Sequence, residues 1–238
     1  MTPAVLEFAA MSKDYRGLRP LRITALTVAA AEQIAVLGFD QLSAEVFINL
    51  ATGATLPDAG QISVFGRPTS AIGDSADWLA TIDRFGIVSE RAVLLDQLTV
   101  IQNLAMPFTL EIEPPPADIR ARAELLAREV GLPETAWDMA VAELDAAARA
   151  RVRLGRALAM DPDVLLLEHI SASLDRDDVP AFGADVRAIA TRRGIALVAA
   201  TADEIFARAV AARVLTLEPS TGRLNKPRSR RWFGGALD

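Results

Sequence analysis

The stretch IAVLGFDQLSAEVFINLATGATLPDAG, residues 34–60, decides the fold of this chain. Its apolar run Ile34–Leu37 predicts a buried strand, and Gly38 follows that strand directly. A short polar segment comes next, and then a helical pattern that closes at Gly53. A strand, a glycine turn and a helix in this order are typical of a phosphate-binding loop.

The residues that bind phosphate in such a loop are replaced here. A working loop reads G-x-x-x-x-G-K-[ST]: backbone N–H groups surround the phosphates, the lysine reaches them and the hydroxyl binds Mg²⁺. Counted from Gly38, the last three positions of this pattern hold Ser43, Ala44 and Glu45, and we expect Leu42 and Ser43 to lie in the turn of the loop. The sequence therefore predicts the scaffold of the loop without its phosphate chemistry.

The composition excludes several classes of protein. The 238 residues include 25 Lys and Arg against 31 Asp and Glu, a formal net charge of −6, which disfavours a general nucleic-acid binder. The absence of cysteine excludes disulfides, thiolate catalysis and cysteine metal sites. No apolar run reaches the roughly 18 residues of a membrane span, and residues 1–15 lack the basic start of a signal peptide. We therefore expect a cytoplasmic protein without a nucleic-acid partner.

Eight short apolar runs predict the strands of an α/β fold. They are Val5–Phe8, Ile23–Val28, Ile34–Leu37, Ile62–Phe65, Phe85–Val88, Val164–Leu167, Ile195–Ala199 and Val214–Leu217. Long helical segments separate the last three runs, which indicates βαβ units and a buried parallel sheet. The early runs are closely spaced, so we expect them to form a small antiparallel layer beside that sheet.

The middle of the chain predicts a helical lobe. From Thr99 to about Arg156 the pattern is mostly helical, with one predicted interruption at the proline-rich run Glu111–Pro116. The helix after this run is expected to end at Gly131. The arginines of the last helix are expected to form a solvated or ion-paired face; they are Arg149, Arg151, Arg153 and Arg156.

The C-terminal tail, Asn225–Asp238, differs from the rest of the chain in composition. Its basic and aromatic residues include Arg230, Arg231, Trp232 and Phe233. Adjacent aromatic and cationic side chains suit a membrane interface or a groove on a partner. The tail is therefore either a solvated terminus or a docking segment, with peripheral membrane contact or a partner groove as its target.

Several ordered segments resemble the nucleotide-binding subunit of ATP-binding cassette (ABC) transporters, over roughly Val5–Leu224. They are GATLPDAG (53–60) with ISVFG (62–66), LTVIQNL (98–104), RVRLGRALAMDPDVLLL (151–167) and the pair Leu174-Asp175. The resemblance implies a RecA-like P-loop core with a parallel-dominated sheet, a small antiparallel β layer and an inserted helical lobe at about residues 90–156. It implies a single cassette domain over residues 1–224, followed by the tail at 225–238.

The same resemblance locates the family's functional positions, most of which hold other residues here. Ala44 replaces the loop lysine, Glu45 the Mg²⁺-binding hydroxyl, Glu90 the Q-loop glutamine, Glu168 the Mg²⁺-linked aspartate, His169 the catalytic glutamate and Ala202 the switch histidine. The signature L-S-G-G-Q reads LDAAA, with Asp145 at its second position. Tyr15 falls where the family stacks an aromatic ring on adenine.

Several of these residues also have a purely structural interpretation. Tyr15 is either an adenine platform or a partly packed aromatic residue. His169, the one histidine of the sequence, is either a general base or a hydrogen-bonded structural residue. Glu168 either holds Mg²⁺ through water or has no metal role. Asp145 is most simply the N-cap of a helix.

The loop after Gly38 is electrostatically unsuited to a triphosphate. A like charge ~4 Å from a phosphate costs about 4 kcal/mol at an effective dielectric near 20, and the lost lysine adds a comparable amount. Even half of this sum, about 4 kcal/mol, weakens binding roughly a thousandfold. We expect Glu45, with Asp40 or Ser43, to cap the helix in place of phosphate. No cofactor and no metal are expected, with weak binding of ATP and Mg²⁺ as the alternative.

These residues favour a non-catalytic cassette subunit of a transport complex, a pseudo-ATPase. It would dock on a transmembrane permease through the surface near Glu90 and Leu98, pair with a cassette as a homodimer or heterodimer, and lie at the inner face of the membrane. The first alternative is an ATP-binding subunit with divergent but working ATP binding, active with a competent partner. The second is a soluble regulatory scaffold outside any transporter.

Overall fold

Two sheets and seven α-helices build the protein, and the computed structural model describes residues 3–226. The strands are β1 (Ala4–Lys13), β2 (Leu21–Ala29), β3 (Gln33–Leu37), β4 (Ala59–Val64), β5 (Arg67–Pro68), β6 (Phe85–Ser89), β7 (Val164–Glu168), β8 (Ala196–Thr201), β9 (Arg213–Glu218) and β10 (Arg223–Asn225). The helices are α1 (Gln41–Ala51), α2 (Ser75–Ile82), α3 (Val100–Ala105), α4 (Ala117–Glu129), α5 (Ala146–Leu158), α6 (Val179–Arg193) and α7 (Glu204–Val210).

The larger sheet is parallel over five of its six strands. Its order is β10-β9-β3-β8-β7-β6, and β10 alone runs antiparallel to its neighbour β9. Every residue of β7 and β8 is buried, as expected for central parallel strands that are covered by helices on both faces. This sheet confirms the predicted parallel-dominated α/β core.

The smaller sheet is the antiparallel layer that the closely spaced early runs predicted. Its order is β2-β1-β4-β5, and β1 pairs antiparallel with both β2 and β4. One core cluster joins this layer to one face of the larger sheet through α1, with Phe8, Phe39 and Phe47 at its centre. The Phe8 and Phe47 rings stack with their centroids 5.2 Å apart. Helix α1 is thereby fixed between the two sheets.

The helical lobe is formed by α3, α4 and α5, which contact one another. The prediction of a single interruption at residues 111–116 is wrong, because residues 130–145 between α4 and α5 contain only two short 3-10 turns. The expected end of α4 at Gly131 is confirmed: the cap is Val130, and Gly131 follows with φ +77°. One core cluster runs from these helices to the larger sheet, so the lobe is anchored by shared apolar packing.

The carboxyl ends of four parallel strands place the candidate site at one edge of the larger sheet. Ser89 lies beside Glu168 in the β6–β7 register, and Glu168 lies beside Ala200 on β8. Leu37 lies beside Thr201 in the β3–β8 register. Chain segments that leave these ends therefore converge, as in other open α/β sheets, where ligands bind at this edge.

No helix within residues 3–226 is long and apolar enough to cross a membrane. The predicted tail was expected to start at Asn225, but that residue is the last of β10. Residues 227–238 of the tail, with Arg230, Arg231, Trp232 and Phe233, lie outside the described residues.

Candidate functional site

The loop after β3 is much shorter than a phosphate-binding loop. Gly38 has φ +101°, a backbone conformation that suits glycine, and an added Cβ would lie 2.9 Å from the carbonyl oxygen of Leu217. Helix α1 already begins at Gln41, with Asp40 as its N-cap. The expectation that Leu42 and Ser43 lie in the loop turn is therefore wrong, because both belong to the first turn of α1 and the loop is three residues long.

Asp40 and Ser43 form a reciprocal capping box at the start of α1. The Ser43 amide donates to Asp40 Oδ1 at 2.7 Å, and the Asp40 amide donates to Ser43 Oγ at 3.0 Å. Ser43 Oγ also donates to Asp40 Oδ1 at 2.6 Å, and the Ala44 amide donates to the Asp40 carbonyl at 3.0 Å. Backbone amides that a phosphate-binding loop directs at its ligand are thus hydrogen-bonded within the protein.

The capping role expected of Glu45 is wrong, while the roles expected of Asp40 and Ser43 are confirmed. Glu45 is the fifth residue of α1, beyond the first turn, where no orphan amide needs a side-chain acceptor. Its carboxylate instead pairs with Arg91, with Oε1 and Nη1 2.9 Å apart. Ala44, in the lysine position, is fully buried and packs in the apolar cluster around α1.

Arg91 is the cation of this site, and the sequence analysis did not single it out. Its Nε and Nη2 donate to the two oxygens of Glu168 at 3.0 and 2.6 Å, which is a bidentate arrangement. Gln41 Nε2 donates to Glu168 Oε1 at 2.9 Å. Arg91 therefore joins the loop after β6, the end of β7 and helix α1, and we call Arg91, Glu168, Glu45 and Gln41 the arginine cluster.

The burial of Glu168 explains why this cluster is needed. The Glu168 side chain is fully buried, whereas Arg91 and Glu45 retain exposures of 43% and 36%. A buried carboxylate is costly unless it is paired and hydrogen-bonded, and here both oxygens have donors. The hydrogen bond to Glu168 is the main cause that raises the pKa of Arg91 above its ordinary value, and the charge of Glu45 adds to it.

A hollow of about 620 Å³ lies beside the capping box, on the side of Tyr15. Its lining includes Tyr15, Gly38, Asp40 and the exposed arginines Arg19 and Arg22. Burial is the main cause that raises the pKa of Tyr15, and the charge of Asp40 also contributes. Tyr15 packs partly against the apolar cluster of α1 as well, so the structure is compatible with both interpretations of this residue.

His169 and Ala202 meet in a second hollow of about 620 Å³, at the ends of β7 and β8. His169 has φ +46°, and its buried Nε2 atom has no hydrogen-bond partner within residues 3–226. The prediction of a hydrogen-bonded structural histidine is therefore not supported at this atom. Ser171, Asp203 and Arg208 also line the hollow.

Glu90 and Asp145 do not join the arginine cluster. Glu90 lines a separate hollow of about 290 Å³ with Leu144, Arg149 and Arg153, and the next residue in the chain, Arg91, faces the cluster instead. Asp145 is the N-cap of α5, and its Oδ1 accepts the Ala148 amide at 2.7 Å, which confirms the structural interpretation.

The arginines of α5 match only in part the solvated or ion-paired face that the sequence predicted, because Arg151 alone of the four pairs with a carboxylate within residues 3–226. All four donate to backbone carbonyls; the pairs are Arg149 with Ala142 and Leu144, Arg151 with Val130, Arg153 with Ala92, and Arg156 with Val93. Arg151 also pairs with Asp185. Burial lowers the pKa of Arg153 and of Arg156 from the ordinary value. Arg153 and Arg156 are thus hydrogen-bonded to Ala92 and Val93, the two residues that follow Arg91.

Comparison with known proteins matches this chain to one family. A model of the ABC transporter family matches residues 24–170, more than half of the chain. The chain belongs to the ABC transporter ATP-binding subunit family. The methionine import ATP-binding protein MetN of Caulobacter vibrioides is 32% identical over 216 residues, which cover 90% of this chain and 64% of that protein. The lipoprotein-releasing system ATP-binding protein LolD of Chromohalobacter salexigens is 28% identical, and the match covers 84% of this chain and 83% of LolD.

Solved structures confirm the cassette fold. CbiO1 of Clostridium perfringens, part of an ABC transporter complex, has a TM-score of 0.77 at 20% identity. The match covers 93% of this chain and 87% of the CbiO1 chain. A dimeric ATP-binding cassette with bound ADP and Pi has a TM-score of 0.73 at 21% identity, over 94% and 99% of the two chains. The chain spans between about half and two thirds of the length of the first MetN relatives it matches.

The ABC family implies Mg²⁺ and ATP, and the residues at this loop do not fit them. Within the arginine cluster, Glu45 and Glu168 contribute two negative charges against the single positive charge of Arg91, which leaves a net charge of −1. Both oxygens of Glu168 already accept hydrogen bonds from protein donors. The amides of Asp40, Ser43 and Ala44 are engaged as well.

Sequence reasoning missed Arg91 and Gln41 for a physical reason. The resemblance assigns Glu90, and not Arg91, to the Q-loop position. Which of these two adjacent side chains faces β7 depends on the conformation of the loop after β6, which the sequence pattern does not show. The one available signal was charge: a carboxylate at Glu168, at the end of an apolar run, needs a cation nearby once it is buried.

Replacing Arg91 with alanine is expected to destabilise the protein by about 2 kcal/mol. Removing one partner of a buried pair costs about 3–5 kcal/mol, and water that reaches the exposed part of this site reduces the loss. The matched control is Arg208→Ala, which removes an exposed pair with Glu204 and should change stability by no more than about 0.5 kcal/mol. Urea unfolding measures both. Equal losses in the two variants would contradict a structural role for the cluster.

The Asp40 cap predicts a pH-dependent contribution to stability. The hydrogen bonds from Ser43 hold the pKa of Asp40 below its ordinary value in the folded protein. The stabilisation is therefore present above the unfolded-state pKa and is lost progressively as the pH falls below about 5. Asp40→Asn keeps a good cap acceptor but removes this titration, whereas Asp40→Ala should cost about 1 kcal/mol at neutral pH.

Urea unfolding of wild type and Asp40→Asn at several pH values measures the difference. The stability of wild type relative to Asp40→Asn should decrease toward acidic pH. A difference that is independent of pH would contradict the assignment of Asp40 as an ionised cap.

Proposed function

We propose that this chain is a cassette subunit of an ABC-type transport complex that acts there without binding Mg·ATP in its own phosphate loop. The capping box of Asp40 and Ser43 carries the proposal, because it supplies to the α1 terminus the acceptor that a phosphate would otherwise provide. The buried Ala44 and the arginine cluster support it further. The subunit would then have a structural or regulatory role in the assembly.

An apolar groove supports docking on a transmembrane permease. The groove has a volume of about 430 Å³ and lies between the edge strand β6 and the lobe. Its lining includes Phe85, Ile87, Leu94, Met106 and Met160. Arg153 and Arg156 hold one wall by donating to the carbonyls of the segment after Arg91. An apolar groove suits an amphipathic helix from a partner.

The place of action follows from the same proposal. A cassette that docks on a permease lies at the cytoplasmic face of the membrane, and no helix of residues 3–226 could span the bilayer itself. Family members assemble as dimers, as the solved cassette dimer with ADP and Pi illustrates. This chain would pair with itself or with a second cassette.

The second candidate is an ATP-binding subunit with divergent but working ATP binding. This candidate is supported by relatives that are named import ATP-binding proteins, for methionine and for taurine. The hollow beside Tyr15 also favours this candidate, because Arg19 and Arg22 line it and could meet an anionic ligand. A nucleotide titration discriminates between the two candidates.

Titration calorimetry with Mg·ATP is expected to show no saturable binding at micromolar concentration. The basis is the net negative charge of the arginine cluster and the absence of the loop lysine, which together weaken binding by roughly a thousandfold. A cassette with an intact G-x-x-x-x-G-K-[ST] loop is the positive control. Micromolar affinity in this chain would overturn the proposal and favour the second candidate.

Substitution in the groove tests the docking surface. Met160→Glu places a charge at a groove residue that is 60% exposed, and it should abolish co-purification of a multi-span membrane protein from detergent-solubilised membranes. Leu125→Glu is the matched control, since Leu125 is 65% exposed on α4 and does not line the groove. Equal retention by both variants would exclude this groove, and absence of any membrane partner would favour a scaffold outside transporters.

A further inference from the structure

We propose that the Arg91 side chain replaces the divalent metal ion that the ABC family implies at this site. The chain would then supply the positive charge itself, instead of binding an ion from solution. This inference extends the proposed function, and it rests on that function for one claim, namely that the subunit acts without nucleotide in its phosphate loop. Its own test uses neither nucleotide nor a membrane partner, so the two can fail separately.

The geometry places the guanidinium where a cation is required. Glu168 stands at the Mg²⁺-linked position at the end of β7, and its side chain is fully buried. Both of its oxygens accept from Arg91, at 3.0 and 2.6 Å, and Glu45 of α1 lies 2.9 Å from Nη1 on the same guanidinium. Two carboxylates from two different elements therefore flank one cation.

A metal ion and Arg91 cannot both occupy this position. Mg²⁺ and Mn²⁺ are bound in proteins by one or two carboxylates with water, which is the donor set that Glu45 and Glu168 would present without the arginine. With Arg91 in place, its positive charge repels a divalent ion, and its N–H groups engage the oxygens that would coordinate the metal. The guanidinium thus excludes the ion by charge and by hydrogen bonding.

The exchange of a metal for an arginine has a structural consequence. A dissociable ion links the sheet to the next loop only while it is bound, whereas a side chain forms a permanent link. Arg91 ties its loop to β7 and to α1, and Arg153 and Arg156 tie the next two residues, Ala92 and Val93, to α5. The wall of the apolar groove is therefore held in one position whether or not nucleotide and metal are present.

Removal of the arginine should expose a metal site. Arg91→Ala is expected to bind Mn²⁺ with a dissociation constant of about 10⁻³ M, typical of weak carboxylate sites. Wild type, and Arg91→Lys, which keeps the positive charge, should not bind it. The double variant Arg91→Ala/Glu168→Gln should lose the gained site. Loss of the free-Mn²⁺ electron paramagnetic resonance signal measures binding, and the melting temperature of Arg91→Ala should rise with added Mn²⁺.

Two outcomes would overturn the proposal. One is Mn²⁺ binding by wild type equal to that of Arg91→Ala, and the other is a folded Arg91→Ala that does not gain Mn²⁺ binding. Should Arg91→Ala not fold, amide hydrogen exchange of wild type decides. Exchange at residues 89–93 that is unchanged by millimolar Mg²⁺ supports a permanent link, and exchange that slows with Mg²⁺ refutes it.

Discussion

The bidentate pair between Arg91 and the buried Glu168 is the interaction on which the rest of the site depends. It neutralises a carboxylate that water cannot reach, and it connects the β6 loop to the centre of the sheet. The same guanidinium holds Glu45, so α1 is fixed relative to β7 from its polar side as well as through its apolar packing. The segment that forms one wall of the groove begins directly after Arg91, so this arrangement also helps to position that wall.

The segment that corresponds to a phosphate-binding loop here caps the start of α1 with its own side chains. Asp40 and Ser43 are among the residues that cap helices best, and their spacing of three allows both reciprocal bonds to form. Each bond satisfies an amide that would otherwise require an external anion. Starting α1 at Gln41 also directs the Gln41 side chain to Glu168, so the shortened loop and the arginine cluster support each other.

Local pattern predicted most of the fold and part of the site. Each of the eight apolar runs lies in a strand with at most one residue outside it, and glycine and proline located the end of α4 and the connection before it. The Asp40 and Asp145 caps were also predictable, because a cap acts within one helical turn. The irregular segment at 130–145 was not, since its 3-10 turns are fixed by contacts with the rest of the lobe rather than by a local period.

The sequence by itself determined that this is an ABC cassette with a parallel core and that lysine, metal-binding hydroxyl and switch histidine are replaced by Ala44, Glu45 and Ala202. Only the tertiary structure decided what replaces them. Glu45 proved to be an ion-pair partner rather than a cap, and Arg91 rather than Glu90 turned toward β7. The physical reason is the sequence separation of the interacting residues. A cap is set by neighbours three residues away, whereas Arg91 and Glu168 are 77 positions apart. The β6–β7 register and the conformation of the loop after β6 bring them together.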